Sequence, residues 1–513
     1  MIENKRFFKS GIMLTLVGLA IKTGGMLFGA YISRTVGAEG TGLYTLVMTV
    51  YSFALTLATS GISLTVTAKV AAAIGESRGD RLGDLLFGAF VYSLGFGVIA
   101  TIALFFGADF VGQYLLSDVR AIIPLKILSF SLIPVALSAM FSGYFIGVKR
   151  VSFNAVSSVV CQIARIIITV AVVGYFASEG VEKSVLGLCL SITLTELLGL
   201  LVVFLEFIYD RIKTAEKRIK RENFTSEISK MALPIAFSAY VRSILLNIEH
   251  ILIPRKLREH GESSSEAYAN YGELHGMALP LITYPMSPLS SFAGLLVPEF
   301  AEDLSAGRRE RLSRVAEKAL NATLAYAIIC SVMLSAFSEE LGYIIYNSYD
   351  AGRYIYVLSM VVPIMYLDHV TDSMLKGMGE QVFSMWVNIT DSFLSVLLVC
   401  LLIPRIGIMG YALVIVIMEG YNFLLSFYRL KRRVDFSLKW SSFLLPLGIS
   451  LLSSRITKWL FRFSGKGTPA IWIILKIIFS ISVMLFVYEI ISINQTRIKQ
   501  KIKKNKQRKT TVN

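Results

Sequence analysis

Charge is scarce in this 513-residue sequence: Asp, Glu, Lys and Arg together make up 17% of it, against 55% hydrophobic residues. A water-soluble domain of that composition would expose large apolar patches, so a soluble globular class is excluded and lipid becomes the solvent to consider. There are only four cysteines (Cys161, Cys189, Cys330, Cys400), all inside apolar runs without metal-ligand spacing, which excludes a disulfide scaffold or a zinc module and leaves them as small buried hydrophobes. The four histidines, His250, His260, His275 and His369, also lack metal spacing. No nucleophile–base pattern and no nucleotide-driven motor is present. Gly465-Lys466-Gly467-Thr468 lacks the upstream glycine and preceding strand of a phosphate loop. The expectation is a protein that is not an enzyme and needs neither cofactor nor metal. The first apolar stretch follows a basic start but has the length of a span and no clear cleavage site, so a removed signal peptide is not expected.

What the sequence has is long apolar runs. Crossing the hydrocarbon takes about 20 residues per helix, and the runs fall at 10–33, 41–70, 83–108, 121–147, 152–177, 183–208, 231–254, 270–297, 315–337, 353–376, 382–404, 408–430, 440–460 and 469–492. This predicts an all-α membrane protein of about fourteen transmembrane helices. The net charge of +16 concentrates in loop 211–230, in the run from Arg429 to Lys439 and in the tail from Arg497 to Lys509. Those are helix ends, where basic residues set topology and meet anionic lipid, so nucleic acid is not an expected partner. Loops counted alternately from the amino terminus hold about 33 basic residues, and the opposite set about 12, which places both termini in the cytoplasm.

The basic loop 209–230 divides the chain after the sixth span. Lys9 and Lys230 open the first and seventh spans at an offset of 221, Arg34 and Arg255 close them at the same offset, and Lys22 nearly matches Arg242. The layout is a six-helix set (1–208), a linker (209–230), a second six-helix set (231–430), two extra helices (440–492) and a basic tail (493–513), the two sets being pseudo-symmetric as in many transporters.

Charge deep in a span is costly and marks a cavity or a partner. At 1.5 Å per residue, Lys22, Arg165 and Arg242 all lie near the midplane. Three cations at one depth suit an anionic ligand such as a phosphate or pyrophosphate, because the arginine fork donates two parallel hydrogen bonds. Arg34 and Arg255 lie nearer the outer ends, where snorkelling or an outer gate would use them. The carboxylates Glu196, Glu249, Asp368, Asp391 and Glu419 are also deep. Arg165 and Glu196, on consecutive spans, are placed to pair; Arg242 and Glu249 share one helix face about 10 Å apart. Mutual neutralisation that holds the bundle together and a coupling-ion site remain open alternatives for Glu196, Glu249, Asp391 and Glu419. The polar residues Asn388 and Thr390 join Asp391 as candidates to line the path.

The residues also carry a resemblance. Arg34-Thr-Val-Gly-Ala-Glu-Gly-Thr-Gly-Leu-Tyr44, within the stretch Phe7 to Gly75, resembles the opening of the stage V sporulation protein B group of polysaccharide flippases. The block 141–170, with Gly143, Gln162 and Arg165, is similar to the segment leading into that group's fifth helix, and LKGMGEQ (375–381) to its counterpart in the second half. Ser63, Cys161 and Phe28 depart from the pattern, which bears on the head group rather than the fold. The group lies within the multidrug, oligosaccharidyl-lipid and polysaccharide exporter superfamily. The resemblance implies two six-helix bundles forming a V, as in multidrug exporters of that superfamily, with two extra helices. It implies a monomer moving a lipid-linked (undecaprenyl) saccharide or peptidoglycan precursor across the bacterial plasma membrane by alternating access, for cell-wall or spore-cortex synthesis. Lys22, Arg165 and Arg242 would engage its phosphates, Arg34 and Arg255 being second choices. An ion-coupled drug antiporter of the same fold, or a non-transporting scaffold for wall assembly, are the other classes.

Overall fold

A computed structural model describes residues 2–75, 82–148, 150–176, 180–213 and 225–461, with 475, 476, 479, 480 and 482 beyond them. Residues 214–224 of the basic linker, most of the expected fourteenth span and the tail 493–513 lie outside the described residues, as does the side chain of Lys22. The described residues are helices joined by short turns, with no strand among them. In chain order the helices are α1 (Ile2–Thr59), α2 (Ile62–Gly75), α3 (Leu82–Phe110), α4 (Ile122–Ser129), α5 (Leu132–Gly147), α6 (Val151–Phe176), α7 (Val181–Lys213) and α8 (Thr225–His260). They continue as α9 (Ser264–Tyr271), α10 (Leu279–Thr283), α11 (Met286–Ser305), α12 (Arg309–Ala336), α13 (Ser338–Leu341) and α14 (Tyr349–Ser359). The last four are α15 (Val362–Gly377), α16 (Gln381–Ile406), α17 (Ile408–Arg433) and α18 (Ser441–Leu460). A π-helical turn at Gly272–Ala278 interrupts the helical run from α9 to α10, and π-helical turns at Val111–Leu115 and Gly342–Tyr346 close α3 and α13.

Seven described helices are long and apolar enough to cross a membrane, or up to nine if each of two bent pairs is one span. The bent pairs are the expected spans 121–147, turned by 44° between α4 and α5, and 353–376, turned by 58° between α14 and α15. The expected spans 10–33 and 41–70 lie in one helical tract with a break at Gly37, whose φ of 77° and ψ of 178° leave the helical region. A second break falls at Ser60 and Gly61, both at positive φ. Glycine reaches such angles without steric cost, so the Gly37 kink follows directly from its missing side chain.

By contact the chain forms two compact units, Met1–Pro288 with Met385–Met418, and Leu289–Ser384 with Glu419–Asn513. That partition groups helices by touching, whereas the six-plus-six expectation groups them by repeat. In the first unit α3 shows the inside-out pattern lipid requires. Gly88, Ala89, Ser93, Gly97 and Ala100 are buried, while Phe87, Ile99, Ile102 and Phe106 are exposed. Small inward residues let backbones approach, and hydroxyls then bond across helices. Thr101 donates to the Ser129 carbonyl at 3.0 Å, Thr193 to that of Ile127 at 3.1 Å, and the Tyr92 hydroxyl to that of Ser60 at 3.1 Å. Gly143 and Gly147, four apart on α5, accept α2: a Cβ on Gly143 would lie 2.6 Å from the Ser63 carbonyl. In the second unit Ser331 on α12 bonds the Ser359 carbonyl at 2.7 Å, and Gly377 packs against the Val297 carbonyl.

Candidate functional site

Within the first unit a cavity of about 450 Å³ opens between the two halves of α1 and the helices α5, α6 and α7. Gly25 and Gly29 form one wall, with no atom within 4 Å of where a Cβ would stand; the space beside α1 exists because two residues there have no side chain. Tyr44, Met48 and Tyr51, from beyond the kink, form another wall, and the Tyr51 hydroxyl is fixed by a hydrogen bond with Ser131. The polar residues are Gln162, Arg165 and Thr169 on α6 and Glu196 on α7.

Arg165 donates from Nη2 to Glu196 Oε1 at 2.7 Å, the pairing that matched depth on consecutive spans suggests. The pair is half-buried, with 37% of the arginine side chain and 25% of the glutamate accessible. The buried Nε of Arg165 has no hydrogen-bond partner. A guanidinium carries five N–H donors in a planar fork, so one bond to Glu196 orients the group and leaves donors for a ligand in the cavity. Among the described lining residues Arg165 is the cation. The backbone of Lys22 lies three residues before Gly25 on α1; Arg242 is exposed on α8, Arg34 is exposed just before the Gly37 break, and Arg255 is exposed near the end of α8.

A second polar centre in the same unit joins α8 to α16. Glu249 is buried, accepts a hydrogen bond from Ser395 and lies within electrostatic reach of Asp391. Next to it, unforeseen in the sequence, His250 and His275 meet edge-to-face with ring centroids 4.4 Å apart, and Tyr271 stacks on His275 at 5.2 Å. The hydroxyls of Tyr271 and Tyr411 lie 3.2 and 3.3 Å from Nδ1 of His250 and His275. His275 lies in the π-helical turn Gly272–Ala278, directly after Tyr271. Among the described residues no group of three or more metal-ligating side chains could hold an ion. Glu419 is half-buried on α17.

The motif from Arg34 to Tyr44 now has a physical reading. Gly37 makes the kink. Glu39 accepts from Arg120 Nη1 at 2.8 Å and from Ser265 at 2.8 Å, while Arg120 also holds Asp118. Gly42 lies so near α9 that a Cβ would meet the Tyr268 carbonyl at 1.9 Å, and a Cβ on Gly272 would lie 2.6 Å from the Gly42 nitrogen. Tyr44 then enters the cavity. The motif fastens α1 to residues more than 200 positions away.

A family model described as polysaccharide biosynthesis protein matches residues 7–302, and one described as MatE matches residues 275–401. Stage V sporulation protein B of Bacillus subtilis (strain 168) is 26% identical over 423 residues, 81% of this chain and 82% of the relative. Among solved structures, the inward closed conformation of the lipid II flippase MurJ superposes with a TM-score of 0.67 at 17% identity, covering 96% of this chain and 99% of that one. An inward-facing multidrug resistance MATE family transporter of the MOP superfamily gives 0.66 at 16% identity, over 82% and 98%. At those identities the two structures establish a shared fold.

Proposed function

The chain belongs to the polysaccharide biosynthesis protein family, and from that premise we propose that it flips a lipid-linked saccharide or peptidoglycan precursor across the bacterial plasma membrane by alternating access. The observation that carries this reading is Arg165: a guanidinium oriented by Glu196, with an unpartnered Nε, on the wall of a cavity lined by glycine, tyrosine and glutamine. Such a group suits a pyrophosphate linkage, because charge-assisted fork hydrogen bonds recognise phosphate oxygens. The prenyl chain stays in lipid while the head group crosses. Lys22 and Arg242 assist Arg165 in engaging the phosphates, with Arg34 and Arg255 in reserve. The proposed topology has fourteen spans as six, six and two, domains at 1–208, 231–430 and 440–492 with linker 209–230 and tail 493–513, both termini cytoplasmic, and a monomeric transporter. The sporulation relative supports a role in spore-cortex synthesis. Glu249 and Asp391 serve as a coupling-ion site, with Glu196 and Glu419 as further candidates.

Depletion of the protein should accumulate a lipid-linked precursor on the cytoplasmic leaflet; if none builds up, the flippase reading fails. The carboxylates near one another, Glu249 and Asp391, favour one other reading, a cation-coupled drug antiporter of the same fold. Transport of a cationic dye that is lost on replacing Asp391 or Glu419 would establish that reading instead.

A further inference from the structure

Two basic runs far apart in sequence, Arg308 to Arg314 and Arg429 to Arg433, meet in the second unit around a cavity of about 790 Å³. Two carboxylates hold its walls. Asp303, 2% accessible, takes Arg308 Nε at 2.7 Å and Arg311 Nε at 3.4 Å; Glu380, 13% accessible, takes the Nη2 atoms of Arg429 at 2.7 Å and Arg433 at 2.6 Å. Those four arginines are committed to the fold. Three others on the lining are not. Arg309, Arg314 and Arg432 have no carboxylate within ion-pair distance among the described residues. Arg314 Nε donates to the Glu310 carbonyl at 3.3 Å, and the Arg432 guanidinium lies over the Tyr428 ring at 5.1 Å, contacts that leave most fork donors of both groups available. The rim carboxylates Glu310 and Asp435 are exposed, and Asp435 lies 3.9 Å from Lys431. The first turn of α12, which has no side-chain cap, adds its positive dipole end to the same wall. Trp440, 78% accessible, stands just beyond the Arg429–Arg433 run, as tryptophans do at a membrane–water boundary.

We propose that this pocket binds a phosphate-bearing anion through Arg309, Arg314 and Arg432, supplied either by an anionic lipid headgroup or by a soluble phosphate compound. The site shares no lining residue with the Arg165 cavity and does not depend on the transport reading. A purely structural ion network would have matched each arginine to a carboxylate; here the matched ones shape the walls, and the unmatched ones face an open volume large enough for a phosphate ester.

The test uses the full chain in nanodiscs. One arm titrates inorganic pyrophosphate against protein in phosphatidylcholine discs; the other counts phosphatidylglycerol retained by protein from mixed phosphatidylcholine–phosphatidylglycerol discs. Each arginine near a headgroup surface contributes about fivefold to binding, so the triple variant R309Q/R314Q/R432Q should lose about a hundredfold. The corresponding triple lysine variant should recover most of it. Arg353→Gln, exposed on α14 and outside the pocket, should change nothing. Loss in the lipid arm alone identifies a headgroup site, loss in the pyrophosphate arm alone a soluble-phosphate site, and loss in both a general phosphate site. Binding unchanged in both arms, or an equal loss in Arg353→Gln, overturns the proposal. Should the triple variant not elute as a folded species, the three single glutamine variants, each expected to lose about fivefold, decide it by the same criteria.

Discussion

Removing Arg165 separates its two duties, holding Glu196 and offering donors to a ligand. The 2.7 Å bond to Glu196 is charge-assisted and half-buried. Such bonds contribute about 1.5–3 kcal/mol, and breaking a fully buried pair costs about 3–5 kcal/mol. With 37% of the arginine and 25% of the glutamate side chain accessible, the lower range applies, so Arg165→Leu alone should destabilise the fold by about 2 kcal/mol. Most of that reflects a stranded glutamate, and the double variant R165L/E196L should recover it, since apolar replacement of an ion pair is close to neutral. Transport should behave differently. If the guanidinium contacts substrate phosphate, both variants lose that bond, and a charge-assisted contact of about 1.5–3 kcal/mol corresponds to a fall of about tenfold to a hundredfold. The assay reconstitutes each variant in proteoliposomes carrying a pyrophosphate-linked glycolipid and follows head-group exposure with an impermeant lectin. Thermal unfolding in detergent reports stability in parallel. A double variant that is stable and flips at the wild-type rate would refute the role assigned to Arg165 and leave the pair a packing device.

Gly29→Leu enters open space, so it should leave the unfolding temperature unchanged while obstructing the cavity and reducing flipping. Gly42→Ala drives a methyl into the Tyr268 carbonyl and should lower stability by about 1–3 kcal/mol, read from denaturation midpoints. Arg120→Ala releases Glu39 and Asp118 together; hydrogen exchange at 36–42 and 262–268 should quicken, and unchanged protection would show that the clasp holds nothing. Arg429 beside Glu380 holds that carboxyl below its ordinary value of 4.5. Its contribution to stability is therefore present above pH 4.5 and lost as pH falls through the lowered value. The gap in unfolding temperature between wild type and Glu380→Gln should be constant from pH 8 to 5 and close at lower pH.

The helices were legible because lipid demands long apolar runs and permits few charges between them. The Arg165–Glu196 pair was legible for a related reason: matched depth on consecutive spans leaves little choice of partner. The breaks were harder. Ser60 adopts positive φ without being glycine, and the turns between α4 and α5 and between α14 and α15 are marked only by Pro134 and Pro363 just inside the following helices, a signal that packed membrane helices can also carry without breaking. The motif at 34–44 could be recognised but not explained, since its purpose depends on Arg120, Ser265 and Tyr268. His250 and His275 carried no spacing signal, because they lie on separate helical segments that only the fold brings together. The arginine runs read as topology signals, and the fold alone shows that Asp303 and Glu380 draw them to one cavity.

The π-helical turns have a consequence for how this chain tolerates insertion and deletion. Such a turn accommodates one residue more than an α-helix does over the same rise. Deleting one residue within Gly272–Ala278 would let the segment close as ordinary α-helix, with every downstream side chain kept on its original face. The same deletion in the middle of α3 would rotate everything after it by about 100°. The turn at Gly272–Ala278, which runs directly into α10, is thus a place where the chain can lose a residue without re-registering the helix that follows; the turns at Val111–Leu115 and Gly342–Tyr346 close their helices, so a residue lost there only shortens a helix end.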